Sequence, residues 1–300
     1  MKKAFIQLHI AVFLAGFTGI LGRLIELNEF WLVFYRLLFT SLAMWILFSI
    51  TKKLIRISKK DILKLIALGF LSMLHWVTFY GSIKQANVSV ALVCFSSVGF
   101  FTALFEPLIL KAPFKWMDIL LGLIVIVGIY VIFQFDGKYK LGIVLGVSCA
   151  ILLAIAMIIF RQFVQKYNPE TVLTWQMTGG VIMLAAALPF VQKFYPAIYF
   201  LPTWKDLQWL LILSLFCSVI AFQLTGYAIK KLSAFTVNLS FNLEPVYGII
   251  LAFLVYHENQ FLSKWFFAGF ALIAISLILH VYLLIKEHRN DPAHGIESLS

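Results

Sequence analysis

The chain of 300 residues is 62% hydrophobic and only 12% charged, with a net charge of +11. So little polar surface excludes a soluble domain of this length. The cations fall between apolar blocks, so they point to membrane topology and anionic headgroups rather than to nucleic acid.

Apolar residues recur in blocks of about 20, the length of a helix across a bilayer. A transmembrane barrel would show short alternating strands instead. In lipid the backbone must satisfy its own hydrogen bonds, which long helices do. The expected class is an all-α integral membrane protein with ten transmembrane helices. The predicted spans are 4–24, 31–50, 62–82, 88–110, 117–135, 141–160, 171–191, 207–229, 235–256 and 262–285,.

The first span follows Met1-Lys2-Lys3 and superficially resembles a signal peptide. It is longer than a typical apolar signal region and lacks an A-x-A site, so it reads as uncleaved. Its Gly16, Gly19 and Gly22 suit close helix approach better than phosphate binding,. In the second span, Arg36 lies five residues inside the outer end. It is expected to snorkel to the outer headgroups or pair with Glu26 or Glu29; the alternative is a bond to a substrate carboxylate. The third span carries His75, Trp76 and Tyr80, of which Trp76 and Tyr80 share a face,. These could line a pocket for an amphipathic solute, or His75 could simply be packed and hydrogen-bonded.

Ser96 and Ser97 in the fourth span are further candidates, as are Trp175, Gln176, Gln223 and Tyr227 in later spans; small polar residues there also serve packing,. Glu106-Pro107 lies near the cytoplasmic end of the fourth span, within reach of water or Lys111. The loop from Gln192 to Asp206 is rich in Tyr, Phe, Trp and Pro and suits the interface,. The ninth span holds the strongest candidate. Glu244 sits about 13–14 Å into it at 1.5 Å per residue, near the midplane, where an ionisable group is costly unless protonated and is a functional candidate by default. Pro245 follows and should free the Phe241 carbonyl. Asn238 and Asn242 form one helical face, and Ser240, Glu244 and Gly248 another, so a regular helix cannot aim both at one cavity,. The Asn pair is therefore either site or interhelical glue. After Lys286 the tail is polar and expected to be disordered and cytoplasmic.

Counting Lys and Arg in alternate connections puts sixteen on the side of the termini and seven on the other, with Arg36 inside a span. This bias places both termini in the cytoplasm of a cell with the chain in its cytoplasmic (inner) membrane. The halves also resemble each other. Ile83-Lys84 aligns with Ile229-Lys230 and Phe95 with Phe241; after a one-residue gap Phe114 aligns with Phe261 and Gly122 with Gly269. Five spans per half force an inverted repeat, with repeats at 1–140 and 141–285 and a tail at 286–300,.

The segment Asn242-Leu243-Glu244-Pro245-Val246-Tyr247-Gly248, then Tyr256-His257-Glu258, then Gly269, resembles the EamA family of the drug/metabolite transporter superfamily. Arg36 matches the usual Arg of that family's second helix. Lys111 stands where a Glu equivalent to Glu258 is expected. The resemblance implies ten helices, an inverted five-plus-five repeat and export of small metabolites, often amino acids.

Cys94, Cys149 and Cys217 are single cysteines without metal spacing or a disulfide framework,. There is no G-x-x-x-x-G-K-[ST] and no second His after His257-Glu258, so neither an ATP motor nor a zinc protease is encoded, and no cofactor is expected,. The expected function is a secondary transporter exporting small metabolites by alternating access, with Glu244 coupling to protons. Its partners are a small-molecule solute and membrane lipid, not nucleic acid, and a homodimer is left open. The alternatives are a lipid-acting membrane enzyme, for which no nucleophile or acid/base set is found, and a non-transporting partner protein.

Overall fold

The computed structural model describes residues 2–290 except 112, 136, 198, 230, 231, 233–239 and 242. Among them the elements are α1 (Lys2–Leu24), α2 (Glu29–Ile50), α3 (Lys59–Gln85), α4 (Val88–Phe95), α5 (Val98–Leu110), α6 (Trp116–Phe135), α7 (Lys140–Lys166), α8 (Pro169–Phe194), α9 (Trp204–Ser214), a π-helix (Leu215–Ile220), α10 (Ala221–Ile229), α11 (Glu244–Tyr256) and α12 (Lys264–Asn290). Nine helical stretches among the described residues are long and apolar enough to cross a membrane, and α11 is a shorter tenth. Large apolar side chains such as Ile46, Leu63, Leu120, Leu254 and Ile278 are exposed on the outside of the bundle, as a lipid-facing surface requires,. The last helix takes in Lys286 to Asn290, which were expected in the tail. Lys, Glu and Arg are good helix formers, so the helix runs on past the apolar span,. Residues 291–300 lie outside the described residues.

The contact pattern is that of an inverted five-plus-five repeat. Helix α3 packs on α7 and α8, and its counterpart, the α9–α10 stretch with its π turn, packs on α1 and α2. Helix α1 packs on α11, and α7 correspondingly on α4 and α5. Two helices meet their own counterparts on the pseudo-axis, α2 with α8 and α6 with α12, and α4 of the fourth span packs on α11 of the ninth.

Glycines set the close crossings. A Cβ on Gly69 of α3 would lie 2.8 Å from the Gly179 carbonyl carbon, and one on Gly179 2.8 Å from the Ile66 oxygen. Gly128 and Gly269 similarly interlock α6 with α12. On α1, a Cβ at Gly16 would meet the Glu244 carbonyl at 2.9 Å, one at Gly19 would meet Val88, and one at Gly22 the Tyr80 ring. The first-span glycines are thus packing residues, as expected.

At the end away from the termini, Glu258 forms a clasp. It is only 3% exposed. Its carboxylate accepts from the Val88 amide at 3.1 Å, the Ser89 amide at 2.8 Å and the Ser89 hydroxyl at 2.6 Å. These amides open α4 and have no partner within the helix. Arg23, at the end of α1, donates to the same carboxylate and covers the Tyr256 ring at 4.3 Å. Burial and four donors make Glu258 a tie between three helices rather than an ordinary charge at a helix end. Glu106 pairs with Arg161 at 2.9 Å rather than with Lys111, because α7 passes beside α5.

Three outcomes follow from this packing. Gly69→Leu forces α3 from α8 and should cost roughly 3 kcal/mol in thermal unfolding of the detergent-solubilised protein. Gly99→Ala, where nothing lies within 4 Å, should be neutral or slightly stabilising,. Glu258→Gln loses charge-assisted bonds worth about 2 kcal/mol and should speed hydrogen exchange at the Val88 and Ser89 amides; unchanged exchange would refute the clasp.

Candidate functional site

Two spans are broken, and at matching places. The fourth stops at Phe95, turns through Ser96 and Ser97, and restarts as α5. The ninth is helical at Ser240–Phe241, turns at Leu243 and restarts as α11 at Glu244. Both restarted helices have 13 residues. The preceding caps share one conformation, with φ −74°, ψ −4° at Ser97 and φ −83°, ψ −11° at Leu243. Both helices end in a left-handed residue, Lys111 at φ 55°, ψ 36° and His257 at φ 53°, ψ 34°. The offset that pairs Phe95 with Phe241 therefore runs through the whole element. Lys111 corresponds to His257, not to Glu258; the gap in the sequence alignment falls after the cap. The counterpart of Glu258 is Ala112, outside the described residues.

The breaks have local causes. Pro245 sits in the first turn of α11, where its missing N–H and fixed φ are tolerated,. At the other break, the Ser96 hydroxyl donates to the Val93 carbonyl at 2.6 Å and the Ser97 hydroxyl to the Cys94 carbonyl at 2.6 Å, covering the frayed end of α4,. Glu244 opens α11, half-buried, with its carboxyl at the positive end of a helix,. At 1.5 Å per residue it lies about 20 Å from the far end of α11, well inside the hydrocarbon.

Arg36 is the largest departure from expectation. It does not snorkel or pair with Glu26 or Glu29; it is 3% exposed and points into the seam between the halves. Tyr80 accepts from its Nη1, and Ser218 accepts from its Nη2 at 3.2 Å. The guanidinium lies 4.4 Å from the Trp76 ring centroid and 5.7 Å from that of Tyr80. Aromatic faces and hydroxyls inside the bundle replace the headgroups as its solvation. The Ser214 hydroxyl donates to the Arg36 carbonyl at 3.2 Å, so the last residue of α9 and the π turn each present a serine to this one residue,.

The remaining candidates divide. Trp76 and Tyr80 share the Arg36 face, as their spacing implied. His75 faces α7 instead, with its Nδ1 3.3 Å from the Cys149 carbonyl and 3.1 Å from the Cys149 sulfur, among Phe79 and Phe95. Gln176 donates to Ser72 at 2.6 Å, joining α8 to α3 one turn from Trp76, and its Oε1 has no partner. Tyr227 leaves the group: it is 48% exposed and lies 5.5 Å from the Lys53 ammonium, near the end that carries the termini. Helical phase alone could not say which end of α10 meets the seam. Asn238 and Asn242 lie outside the described residues. Sequence reasoning did not single out Ser218, Arg23 or Ser89. Small hydroxyls are common in membrane helices, and a π turn leaves no local sequence mark that would have flagged Ser218.

The seam thus holds a buried cation, Arg36, against the rings of Trp76 and Tyr80. Among the described residues no three His, Cys, Asp or Glu side chains are grouped to hold a metal ion, and the three cysteines are free and buried.

Comparison with known proteins agrees with this architecture. The EamA-like transporter family matches twice, over residues 2–134 and 140–280. An uncharacterized transporter of Archaeoglobus fulgidus is 28% identical over 264 residues, covering 85% of this chain and 89% of its own. The uncharacterized transporter YxxF of Bacillus subtilis is 23% identical over 264 residues, covering 83% and 81%. A solved crystal structure superposes with a TM-score of 0.64 over 94% of this chain and 98% of its own; at 14% identity it bears on the fold alone. Both halves match one family and the relatives are named as transporters: the chain belongs to the EamA-like transporter family and is a multi-pass membrane transporter.

Proposed function

We propose that the protein is a secondary transporter that exports small metabolites by alternating access, with its solute site in the seam where the two broken spans meet. The observation that carries this reading is the matched pair of breaks, with α4 packed on α11. Interrupted helices at corresponding places in two inverted halves free backbone groups and helix ends for a solute. Ser96, Ser97, Trp76, Tyr80 and Glu244 are the described side chains assigned to it, with His75 and Gln176 packed behind them.

The two repeats are taken as residues 1–140 and 141–285. The excess of Lys and Arg on the side of the termini supports a cytoplasmic-membrane location with both termini inside,. In that orientation the Glu258 clasp closes the outer end, and export requires it to open. Glu244 is the coupling group: it takes up a proton from one side and releases it to the other as the seam switches access.

The test uses full-length protein in proteoliposomes loaded with a labelled mixture of amino acids and organic acids. Wild type should release a component of the mixture faster under an imposed pH gradient, and Glu244→Gln should cut that response at least tenfold while remaining folded by size-exclusion chromatography. An undiminished pH response in Glu244→Gln removes the coupling role. No solute flux from wild type removes the transporter mechanism itself.

A further inference from the structure

Arg36 carries a full charge in the interior with nothing of opposite sign in contact. Among the described residues no carboxylate lies within 4.0 Å of it. Its side-chain partners, Tyr80, Ser218 and Trp76, are all neutral. A guanidinium offers five N–H donors, and the Nε of Arg36 is buried without any acceptor,. An unpaired buried donor and an unneutralised buried cation are both unfavourable, so their joint retention calls for a ligand that relieves them.

The unmet donor has a definite place. With Tyr80 on Nη1 and Ser218 on Nη2, the buried Nε–H is left without an acceptor, and the Nε side of a guanidinium fork suits the two oxygens of a carboxylate,. The fork is held in place: the Trp76 ring lies on it, and Ser214 fixes the Arg36 backbone carbonyl. Trp76, which lies against the fork, and Phe95, Ser96 and Glu244 at and near the two breaks each keep partial exposure.

We propose that Arg36 is the anion subsite of the transport path, binding through its Nε edge the carboxylate of a solute that also carries an apolar, ring-sized group against Trp76 and Phe95. This rests on the seam being the solute's path. It also gives Glu244 a second consequence. Glu244 opens the other broken span of the same seam, so an ionised Glu244 and a solute carboxylate would compete for the one cation,. Removing Arg36 and removing the Glu244 charge should therefore move binding in opposite directions, which a purely structural role for either would not do.

The experiment is calorimetric titration and thermal shift of purified full-length protein with benzoate, phenylacetate and 3-phenylpropionate, each beside its primary amide. At least one carboxylate should bind ten times or more tighter than its amide. Arg36→Gln should abolish that preference, Arg36→Lys should keep part of it, and Glu244→Gln should tighten carboxylate binding several-fold. The subsite is overturned if amides bind as well as acids, if no carboxylate binds, if Arg36→Gln binds carboxylates like wild type, or if Glu244→Gln weakens them as Arg36→Gln does. Where the variants do not fold, the acid-against-amide comparison in wild type decides alone. Solute flux that survives in Arg36→Gln overturns the subsite and leaves the transporter reading standing; absence of both flux and binding removes both.

Discussion

A helix that stops inside hydrocarbon leaves amides and carbonyls that lipid cannot satisfy. Two spans of this protein stop there, and the interior is organised around making that tolerable. The serines at one break turn their hydroxyls back onto the Val93 and Cys94 carbonyls. Proline at the other removes a donor that would have needed a partner,. Gly16 lets α1 lie directly against the Glu244 carbonyl, so protein rather than lipid covers that break. Placing α4 on α11 then brings both interruptions into one seam, shielded by helices from each half.

The scaffold is symmetric and its chemistry is not. Val98 stands at the position of Glu244, so one break carries a carboxyl and the other a small apolar side chain. Ala112 stands at the position of Glu258, and a methyl group cannot tie a helix N-terminus as that carboxylate ties α4. The cation comes from the other repeat: Arg36 of the first half bonds Ser218 of the second. An inverted pair built of identical halves would carry the same groups twice; here acid, cation and clasp are placed unequally.

Close approach is bought by glycine rather than by polar side chains. Gly69 with Gly179, and Gly128 with Gly269, bring backbones together where lipid provides no hydrophobic drive for helix association,. These crossings hold α3 against α8 and α6 against α12, and they leave the seam's polar groups free of a packing duty.

Composition and charge alternation were enough for the class and the span count, because transfer into lipid acts on each helix separately and leaves its mark in local apolar length. Pro245 made the ninth-span break legible, and the Trp76–Tyr80 spacing made their shared face legible, since both effects act within two turns of chain. The break at Ser96 and Ser97 was legible only as polar residues, for no proline marks it. Arg36 stands five residues inside the outer end of its span, close in sequence to Glu26 and Glu29, so the local pattern points it outward,. Its true partners sit 44 and 182 residues away, and no local pattern encodes that distance. Glu258 likewise joins residues 169 and 170 positions apart. The sequence by itself determined which segments enter the membrane and where one must break. Only the tertiary structure decided which charges face one another, because that depends on how helices from opposite repeats cross.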